Sequence, residues 1–417
     1  MSILGNAKNP PARRVAFVIH DLNTWGGHDR STLEIARRVS HFHPVDVYAY
    51  TLQDPQGLEA WGDVRFKPIK PHFKRPVFFK ISWFFAANLP RLNIIPFIKG
   101  EPRPLVHTTG ACALGADVIQ VQFVNAAWNS KLKVLPPEVC APPHARGRGK
   151  LETRLRKTYQ DFMMNYGIYA ERELYVKDKN YIAIAHSVAK ELEEHFGIRD
   201  HVHVIHHGVD SEIFKPAETE GEIRDRAKRR AELKIAAEDV VISFVGAYER
   251  KGLAIAIRAL AEIKLELRKN VKLLAVGGGS EAGFRELAQS LGVSENVIFV
   301  GHQKQIVPYY QIADLFLLPT LYEPFGLVVL EAMACGLAPI VSRIAGASEL
   351  IKDGESGKLI EDPTDPKEIA RLLEPWVENG ALRKKAAFHA RKVALGRSWD
   401  QVAREYSAVF SKLLGTS

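Results

Sequence analysis

The feature that most constrains this chain of 417 residues is a regular alternation of short apolar runs with helix-forming segments. Strand-like runs lie at 14–20, 45–50, 116–123 and 181–185 in a first block, and at 240–245, 271–276, 297–300 and 315–318 in a second. Helical periodicity begins at about residue 31 and returns at 218–233, 253–267 and 281–291. This alternation favours parallel sheets with helices on both faces.

A break near residues 205–215 separates the two blocks, which predicts an α/β protein of two Rossmann-like, doubly wound domains facing a cleft. The predicted domains are 1–205 together with 398–417, and 206–397. The last helix is expected to pack back toward the N-terminal domain through an apolar stripe at helical spacing, formed by Trp399, Val402, Tyr406, Val409, Phe410 and Leu413. Because ligands of open α/β sheets bind beyond the carboxyl ends of the strands, the cleft is the expected site.

Cysteine content and apolar stretches predict a cytoplasmic protein that is soluble or peripheral. The three cysteines (Cys112, Cys140 and Cys335) are too few for a disulfide framework or a zinc site, and they fit a reducing compartment. The N-terminal residues lack the apolar core and cleavage site of a secretory signal. No stretch approaches the roughly 18 apolar residues of a transmembrane helix. We expect a location on the inner face of the cytoplasmic membrane.

The net charge of +9 is distributed unevenly along the chain. Residues 1–190 hold 27 Lys and Arg against 15 Asp and Glu, whereas the remainder holds 30 against 33. Such an N-terminal excess indicates an anionic partner. Within it, residues 65–103 combine nine basic residues and eight aromatic ones with a single acid.

Three interpretations of segment 65–103 remain open. Aromatic rings beside cations suit an anionic membrane surface or a lipid-linked acceptor. An ordinary segment with buried rings and a basic solvated side is the second interpretation, and single-stranded nucleic acid is the third. We favour the membrane, which a second basic stretch at 146–157 supports, and predict no nucleic-acid partner.

The clearest chemical signal lies in residues 318–341. Glu323 is in a loop after a predicted strand, Gly326 provides a tight turn, and Glu331 follows on an otherwise apolar helix. A carboxylate among apolar neighbours costs free energy unless it is paired or bound to a ligand. A ribose diol is a suitable partner because a carboxylate accepts both hydroxyl hydrogens. A buried glutamate satisfied by the backbone or by a basic residue is the alternative.

The spacing of Glu323 and Glu331 resembles the Glu-x7-Glu signature of retaining glycosyltransferase family 4, whose members have the GT-B fold. Further segments are similar to landmarks of that family in the same order, at 208–216, 244–252, 274–279, 296–302, 345–349 and 353–357. The resemblance implies transfer of a hexose-type sugar, with retention, from a UDP or GDP sugar to a cell-envelope glycan, lipid or lipopolysaccharide acceptor. It also implies that neither a metal nor another cofactor is needed.

The resemblance assigns roles on the donor side of the cleft. Arg250 and Lys251 would stabilise the leaving diphosphate, and Glu323 would bind hydroxyl groups of the donor sugar. Glu331 would bind the ribose. The other implied donor-binding positions are Gly246, Gly277, His302, Phe325, Gly326 and Leu327. The family often has an arginine where this chain has Ala247, so diphosphate binding rests more on Arg250 and Lys251.

On the acceptor side the resemblance is carried by Gly26 and Gly27, whose setting is similar to that in lipopolysaccharide-core sugar transferases. His20 ends the first predicted strand. It either lies in the active site or is a core histidine with its hydrogen bonds satisfied, and the sequence supports both interpretations equally. Gln122 stands where the family usually has an active-site histidine. An amide can bind a sugar hydroxyl but cannot transfer a proton, which a retaining front-face mechanism does not require.

Three other functions fit the sequence less well. The histidines at 201, 203, 206 and 207 lack a carboxylate or cysteine at zinc spacing, so no metal site is predicted. A non-catalytic nucleotide-sugar-binding or scaffold protein with the same fold is the main alternative. A nicotinamide-dependent oxidoreductase is disfavoured because no Gly-x-Gly-x-x-Gly directly follows the first strand of either half.

Overall fold

The computed structural model describes residues 13–22, 27–52, 62–70, 102–135 and 150–416. Gly26, residues 71–101 of the basic aromatic segment and 146–149 of the second basic stretch lie outside the described residues. Three described cations of segment 65–103 pair with nearby acids. Arg65 and Lys67 contact the buried Asp46, and Arg103 contacts Asp117.

The N-terminal half is built on a parallel sheet of seven strands in the order β5-β3-β1-β6-β7-β8-β9. Its strands are β1 (Val15–Val18), β3 (Val45–Ala49), β5 (Val64–Pro68), β6 (Leu105–Thr109), β7 (Val118–Val121), β8 (Asn180–Ala183) and β9 (Val202–Val204). Two short strands, β2 (Asp21–Leu22) and β4 (Thr51–Leu52), pair separately. The helices are α1 (Gly27–Val39), α2 (Asn125–Leu132), α3 (Lys150–Leu174) and α4 (His186–Phe196).

Helix α1 begins four residues earlier than the sequence predicts. Serine and threonine are favoured as helix N-caps, which placed the start at about Ser31. In the structure the hydroxyl groups of Ser31 and Thr32 instead donate to the carbonyl oxygen of His28, at 2.8 and 3.1 Å. Both side chains are therefore satisfied inside the helix, and α1 starts at Gly27.

The C-terminal half has a parallel sheet of six strands in the order β12-β11-β10-β13-β14-β15. These are β10 (Val240–Val245), β11 (Val271–Val276), β12 (Val297–Gly301), β13 (Leu315–Leu318), β14 (Ala338–Ser342) and β15 (Lys358–Ile360). The helices are α5 (Glu220–Glu232), α6 (Leu253–Glu262), α7 (Leu265–Arg268), α8 (Glu281–Ser290), α9 (Val307–Gln311), α10 (Leu327–Ala334), α11 (Pro366–Glu378), α12 (Gly380–Leu395) and α13 (Trp399–Leu414). Short 3-10 turns cover Ser294–Asn296 and Gly346–Leu350.

The single helix predicted over 253–267 is wrong, because the chain forms two helices there. Ile263 and Lys264 have extended backbone angles between α6 and α7. The Lys264 amide donates to Glu374 on α11 at 3.0 Å, and the Ile263 side chain is buried. Tertiary contacts thus replace helical hydrogen bonds at this point. Elsewhere the two facing doubly wound sheets confirm the predicted fold class.

Helix α13 packs back onto the N-terminal half, as predicted. The ring of Phe410 lies 6.1 Å from that of Phe17 and 5.6 Å from the imidazole of His107 on β6. The Ser407 hydroxyl is 2.8 Å from Nε2 of His43. The chain therefore crosses between the halves twice, and the crossings touch where the Val209 amide donates to the Arg397 carbonyl at 3.0 Å.

His107 predicts a pH dependence of stability. Burial lowers the pKa of its imidazole from the ordinary 6.5 to about 3, and neither ring nitrogen has a hydrogen-bond partner in the described part of the protein. The unfolded chain takes up a proton here below pH 6.5, whereas the folded chain does so only near pH 3. Stability is therefore retained above pH 6.5, and below it the free energy of unfolding should fall by up to about 1.4 kcal/mol per pH unit.

Urea unfolding of a His107→Leu variant tests this expectation. Leucine keeps an apolar side chain against Phe410 and removes the titration, so the difference in stability between pH 7.5 and pH 5.5 should shrink. The exposed His195 provides a control, because His195→Leu should leave the difference as it is in the native protein. An equal pH dependence for native protein and His107→Leu would contradict the role of His107.

Candidate active site

A cavity of about 730 Å³ lies between the two halves, beyond the carboxyl ends of β10 and β11. We call it the donor cavity. The N-terminal half lines it with Gly27, His28, Arg30, Gln122, Phe123 and Ile184, the connection between the halves with His207, and the C-terminal half with 245–247, Arg250, Lys251, 276–278, 302–304, Ile306, 323–328 and Glu331. Every donor-side residue predicted from the sequence is therefore present: Glu323, Arg250, Lys251, Gly246, Gly277, His302, Phe325, Gly326, Leu327 and Glu331.

Glycines form one wall of the donor cavity because the backbone segments there touch each other. Gly277 has φ +152°, and a Cβ at this position would lie 1.9 Å from the carbonyl oxygen of Gly246. Gly246 has φ +134°, and its Cβ would lie 2.3 Å from Cδ of Lys251. Only residues without a side chain fit these conformations and approaches.

Lys251 and Arg250 surround the carboxylate of Glu323. Lys251 Nζ lies 3.2 Å and Arg250 Nη1 lies 3.4 Å from Glu323 Oε2. Burial by itself raises the pKa of Glu323, but the two cations outweigh it and hold the pKa below the ordinary value. Glu323 is therefore an ionised hydrogen-bond acceptor at neutral pH. Because Arg250 also donates to the Tyr322 carbonyl at 3.2 Å, the three side chains form one connected group.

The loop after Glu323 is held in place by backbone hydrogen bonds. The amide of Gly346 donates to the Glu323 carbonyl at 3.0 Å, and that of Ala347 donates to the Phe325 carbonyl at 2.8 Å. Gly326 has φ +95° and caps helix α10, so the helix starts at the cavity wall. The positive end of a helix dipole favours an anion, which makes this wall suited to a phosphate group.

Glu331 on α10 is 3% exposed and has protein partners as well as a place in the cavity. The guanidinium of Arg30, on α1 of the opposite half, forms an ion pair with it. The Tyr310 hydroxyl donates to Glu331 Oε2 at 3.0 Å. The structure thus provides the basic partner that the sequence left as an alternative to ribose, and this pair joins the two halves across the donor cavity.

The predicted acceptor-side residues are divided between two cavities. Gly27 and Gln122 line the donor cavity, and the Gln122 amide donates to the Ser31 hydroxyl at 2.9 Å. His20 lines a neighbouring cavity of about 1010 Å³, whose lining comes mainly from the N-terminal half, and its Nδ1 is 3.1 Å from Sγ of Cys112. We call this second space the acceptor cavity, because it contains His20, one of the residues predicted for the acceptor side. His28, Phe123 and Arg250 line both cavities, so the two spaces meet at these residues.

Tyr322 connects the acceptor cavity to Glu323, and the sequence contained no signal for it. Its ring inserts into the N-terminal half and stacks on Trp128 at 5.4 Å between centroids. Its hydroxyl donates to Glu191 Oε2 at 2.8 Å, and Lys131 lies over the ring at 4.6 Å. A residue next to Glu323 is thereby anchored to α2 and α4, which orients the 320–326 loop relative to the acceptor cavity.

Replacing Tyr322 with phenylalanine should lower the free energy of unfolding by about 1–3 kcal/mol. The ring and its stacking on Trp128 are kept, but the buried Glu191 loses its hydroxyl donor. Chemical denaturation at neutral pH measures the change. Tyr169, whose side chain is 60% exposed, provides the control, since Tyr169→Phe should have the stability of the native protein. Equal stability of both variants would show that the hydroxyl contributes nothing.

Of the four histidines at 201, 203, 206 and 207, only His207 lines the donor cavity. Its ring is 5.0 Å from that of Phe325 and 5.7 Å from that of Trp399, and burial lowers the pKa to about 3. Within the described ranges, no group of three or more His, Cys, Asp or Glu side chains is arranged to hold a metal ion. Among the helices described here, none is long and apolar enough to cross a membrane.

Solved structures with the same arrangement of two facing domains identify the fold as GT-B. WaaG, a glycosyltransferase involved in lipopolysaccharide biosynthesis, superposes with a TM-score of 0.71 at 22% identity, covering 95% of this chain and 99% of that chain. HepE from Anabaena, solved in complex with UDP and glucose, superposes with a TM-score of 0.67 at 18% identity, covering 96% and 99%. At these identities the likeness concerns the fold.

Two family models match consecutive parts of the sequence. The model for Glycosyltransferase Family 4 matches residues 25–213, and the model for Glycosyl transferases group 1 matches residues 225–393. The chain therefore belongs to the group 1 and family 4 glycosyltransferases. A relative named D-inositol 3-phosphate glycosyltransferase, from Acidothermus cellulolyticus, is 33% identical over 54% of this chain and 51% of its own length. The chain spans about half the length of the curated relatives it matches.

Proposed function

We propose that this protein transfers a hexose-type sugar from a UDP or GDP sugar to a cell-envelope glycan, lipid or lipopolysaccharide acceptor, with retention and without a metal. The observation that carries the proposal is the charge of the donor cavity. Its described lining has four cations (Arg30, Arg250, Lys251 and Lys304) and two carboxylates (Glu323 and Glu331). Such an excess suits a nucleoside diphosphate, whose negative charge increases as the sugar bond breaks.

Each wall of the cavity has a part in the proposed reaction. Lys251 and Arg250 stabilise the departing diphosphate, together with the N-terminus of α10. Glu323, kept ionised by those cations, accepts hydrogen bonds from the donor sugar. The acceptor hydroxyl approaches from the junction of the two cavities and passes its proton to a phosphate oxygen of the donor. Gln122 takes no part in that proton transfer, because an amide is not a base.

A screen of nucleotides tests the proposal. UDP, GDP, ADP and their sugars are compared by thermal shift, where a nucleotide at a hundred times its dissociation constant should add about 2.7 kcal/mol of stability. Release of nucleotide from the corresponding sugar, with and without acceptor, then measures activity. A nucleotide that binds without any turnover would favour the alternative of a non-catalytic protein with the same fold. No shift with any nucleotide would contradict both functions.

The proposed contact of Glu331 with ribose has its own test. Native protein should bind the nucleotide found in the screen about tenfold more tightly than its 2′,3′-dideoxy form, since about 1.4 kcal/mol is a modest value for hydrogen bonds to a charged group. Glu331→Gln should lose most of this preference. Glu361→Gln, at an exposed site away from the cavity, is the control and should retain it. If native protein and Glu331→Gln prefer the nucleotide over its dideoxy form equally, Glu331 forms the ion pair with Arg30 but does not bind the ribose.

The proposed acceptor class and the proposed location at the membrane have separate support. The curated relative from Acidothermus cellulolyticus is named D-inositol 3-phosphate glycosyltransferase, and WaaG is described as involved in lipopolysaccharide biosynthesis. An anionic membrane surface as a partner is supported by the basic N-terminal half and by segment 65–103. The cytoplasmic face of the membrane is where a nucleotide sugar and a lipid-linked acceptor would meet.

A further inference from the structure

The two adjoining cavities differ in charge, and this difference limits which chemical class of acceptor can bind. That the acceptor binds in the second cavity rests on the proposed function. The described lining of the acceptor cavity has four carboxylates (Asp29, Asp161, Glu171 and Glu249), whereas its only lysine or arginine among these residues is Arg250. His20 and His28 also line it. The donor cavity has the opposite balance.

Arg250 is already engaged on the donor side. Its Nη1 contacts both Glu323 and the Tyr322 carbonyl. A phosphate on the acceptor would compete for Arg250 with these groups and with the diphosphate of the donor. The carboxylates nearby would repel it at the same time, because like charges a few ångströms apart interact unfavourably even where water screens them.

Glu171, one of the four carboxyl groups in the described lining of the acceptor cavity, is held in place by backbone amides. Its Oε1 accepts from the Asn125 amide at 2.6 Å, and its Oε2 accepts from the Ala126 amide at 3.1 Å. Burial raises the pKa of Glu171 to about 7, against the effect of these hydrogen bonds, so this carboxyl group is about half ionised at neutral pH and contributes less charge than a fully ionised carboxylate would. The Glu171 carboxyl group thus binds the N-terminus of α2, and it occupies the place that an anionic ligand would otherwise take.

The other lining groups suit a sugar ring. Trp128 supplies an aromatic surface, and Asn129 and Tyr166 supply an amide and a hydroxyl group. Burial raises the pKa of Tyr166 to about 12, so its phenol keeps its proton and can donate to a sugar oxygen. Aromatic surfaces pack against the C–H faces of sugar rings, while neutral donors and acceptors pair with their hydroxyl groups.

We propose that the group bound in the acceptor cavity is an uncharged sugar, without phosphate or carboxylate. A charged part of the acceptor, where there is one, lies outside this cavity. The acceptor would then differ at this position from the inositol 3-phosphate in the names of the curated relatives. Asp161, on α3 at the rim, is the residue that we expect to contribute most to rejecting an anion, since it is solvent-facing and lines the cavity.

Saturation-transfer NMR on the full chain, loaded with the nucleotide found in the screen, tests the proposal. The probes are the methyl glycosides of glucose, galactose and mannose, each compared with its 6-phosphate, and myo-inositol compared with its 3-phosphate. At least one neutral sugar should bind tenfold or more tightly than its phosphate. Equal or tighter binding of the phosphates, or no binding of any neutral sugar at millimolar concentration, would overturn the proposal.

Charge reversal on α3 locates the effect. Asp161→Lys should move the preference toward the phosphates by at least tenfold, whereas Glu173→Lys, an exposed site on the same helix that does not line the cavity, should leave it unchanged. An equal effect of both variants would overturn the assignment to Asp161. A chain that binds no nucleoside diphosphate contradicts the proposed function, whereas one that binds nucleotide and prefers phosphorylated sugars contradicts only the acceptor inference.

Discussion

Replacing Lys251 with methionine is expected to lower kcat by about 10²–10³-fold, the usual cost of removing one electrostatic contact to a developing anion. Methionine preserves the apolar packing of the side chain against Gly246 and removes the charge. Two causes act together, because the diphosphate loses a cation and Glu323 loses its nearest counterion, at 3.2 Å. Nucleotide release under saturating donor and acceptor measures the change.

A double variant separates these two causes. Breaking a buried ion pair by removing one partner costs about 3–5 kcal/mol of stability, although Arg250 remains beside Glu323 and reduces that cost. Lys251→Met combined with Glu323→Gln leaves no buried carboxylate short of a cation, and Arg250 keeps its hydrogen bond to the Tyr322 carbonyl, so stability should recover while activity stays low. Lys190→Met, at a side chain 75% exposed, is the matched control. Activity within threefold of native in Lys251→Met would contradict a role for this lysine in the reaction.

Gly277→Ala is expected to lower the free energy of unfolding by more than about 4 kcal/mol and to abolish nucleotide binding. Its Cβ would lie 1.9 Å from the Gly246 carbonyl oxygen, and φ at this residue is +152°. Neither segment can withdraw easily, because the Gly277 amide donates to Gly301 and the Gly246 amide donates to Val276. Urea denaturation and the nucleotide thermal shift measure the two effects.

The adjacent glycine is the control for this substitution. A Cβ at Gly278 would have no atom within 4 Å, and its φ is outside the left-handed region. Gly278→Ala should therefore fold with stability close to that of the native protein. If Gly277→Ala unfolds at the same denaturant concentration as Gly278→Ala, the close approach of the two glycine segments does not require glycine at position 277.

Much of the architecture follows from local patterns in the sequence. Apolar runs such as 240–245, 271–276 and 315–318 coincide with buried strands, because a strand covered on both faces needs nearly continuous apolar residues. Gly246 and Gly277 follow directly on the carboxyl ends of β10 and β11, Gly326 precedes α10, and their positive φ angles explain why glycine stands there. The donor-side residues cluster in one cavity because the alternation of strands and helices brings the carboxyl ends of parallel strands to the same edge of the sheet.

Local patterns were insufficient where distant residues decide the structure. The start of α1 was misplaced because a serine or threonine can cap a helix or donate back within it, and only the surrounding packing selects one. The break between α6 and α7 depends on Glu374, more than a hundred residues away. Helix α3 lines the acceptor cavity, and its only signal in the sequence analysis is the basic stretch at 146–157.

The sequence by itself determined the two parallel sheets, the glycine turns and the donor-side residues, because strand burial, backbone conformation and helix starts depend on residues close in the chain. The tertiary structure alone decided the partners of those residues. Arg30 meets Glu331 across 301 positions, and Tyr322 meets Glu191 across 131. Such contacts arise from the relative placement of two domains, and no local pattern specifies that placement. For the same reason the charge contrast between the donor and acceptor cavities became visible only in the folded protein.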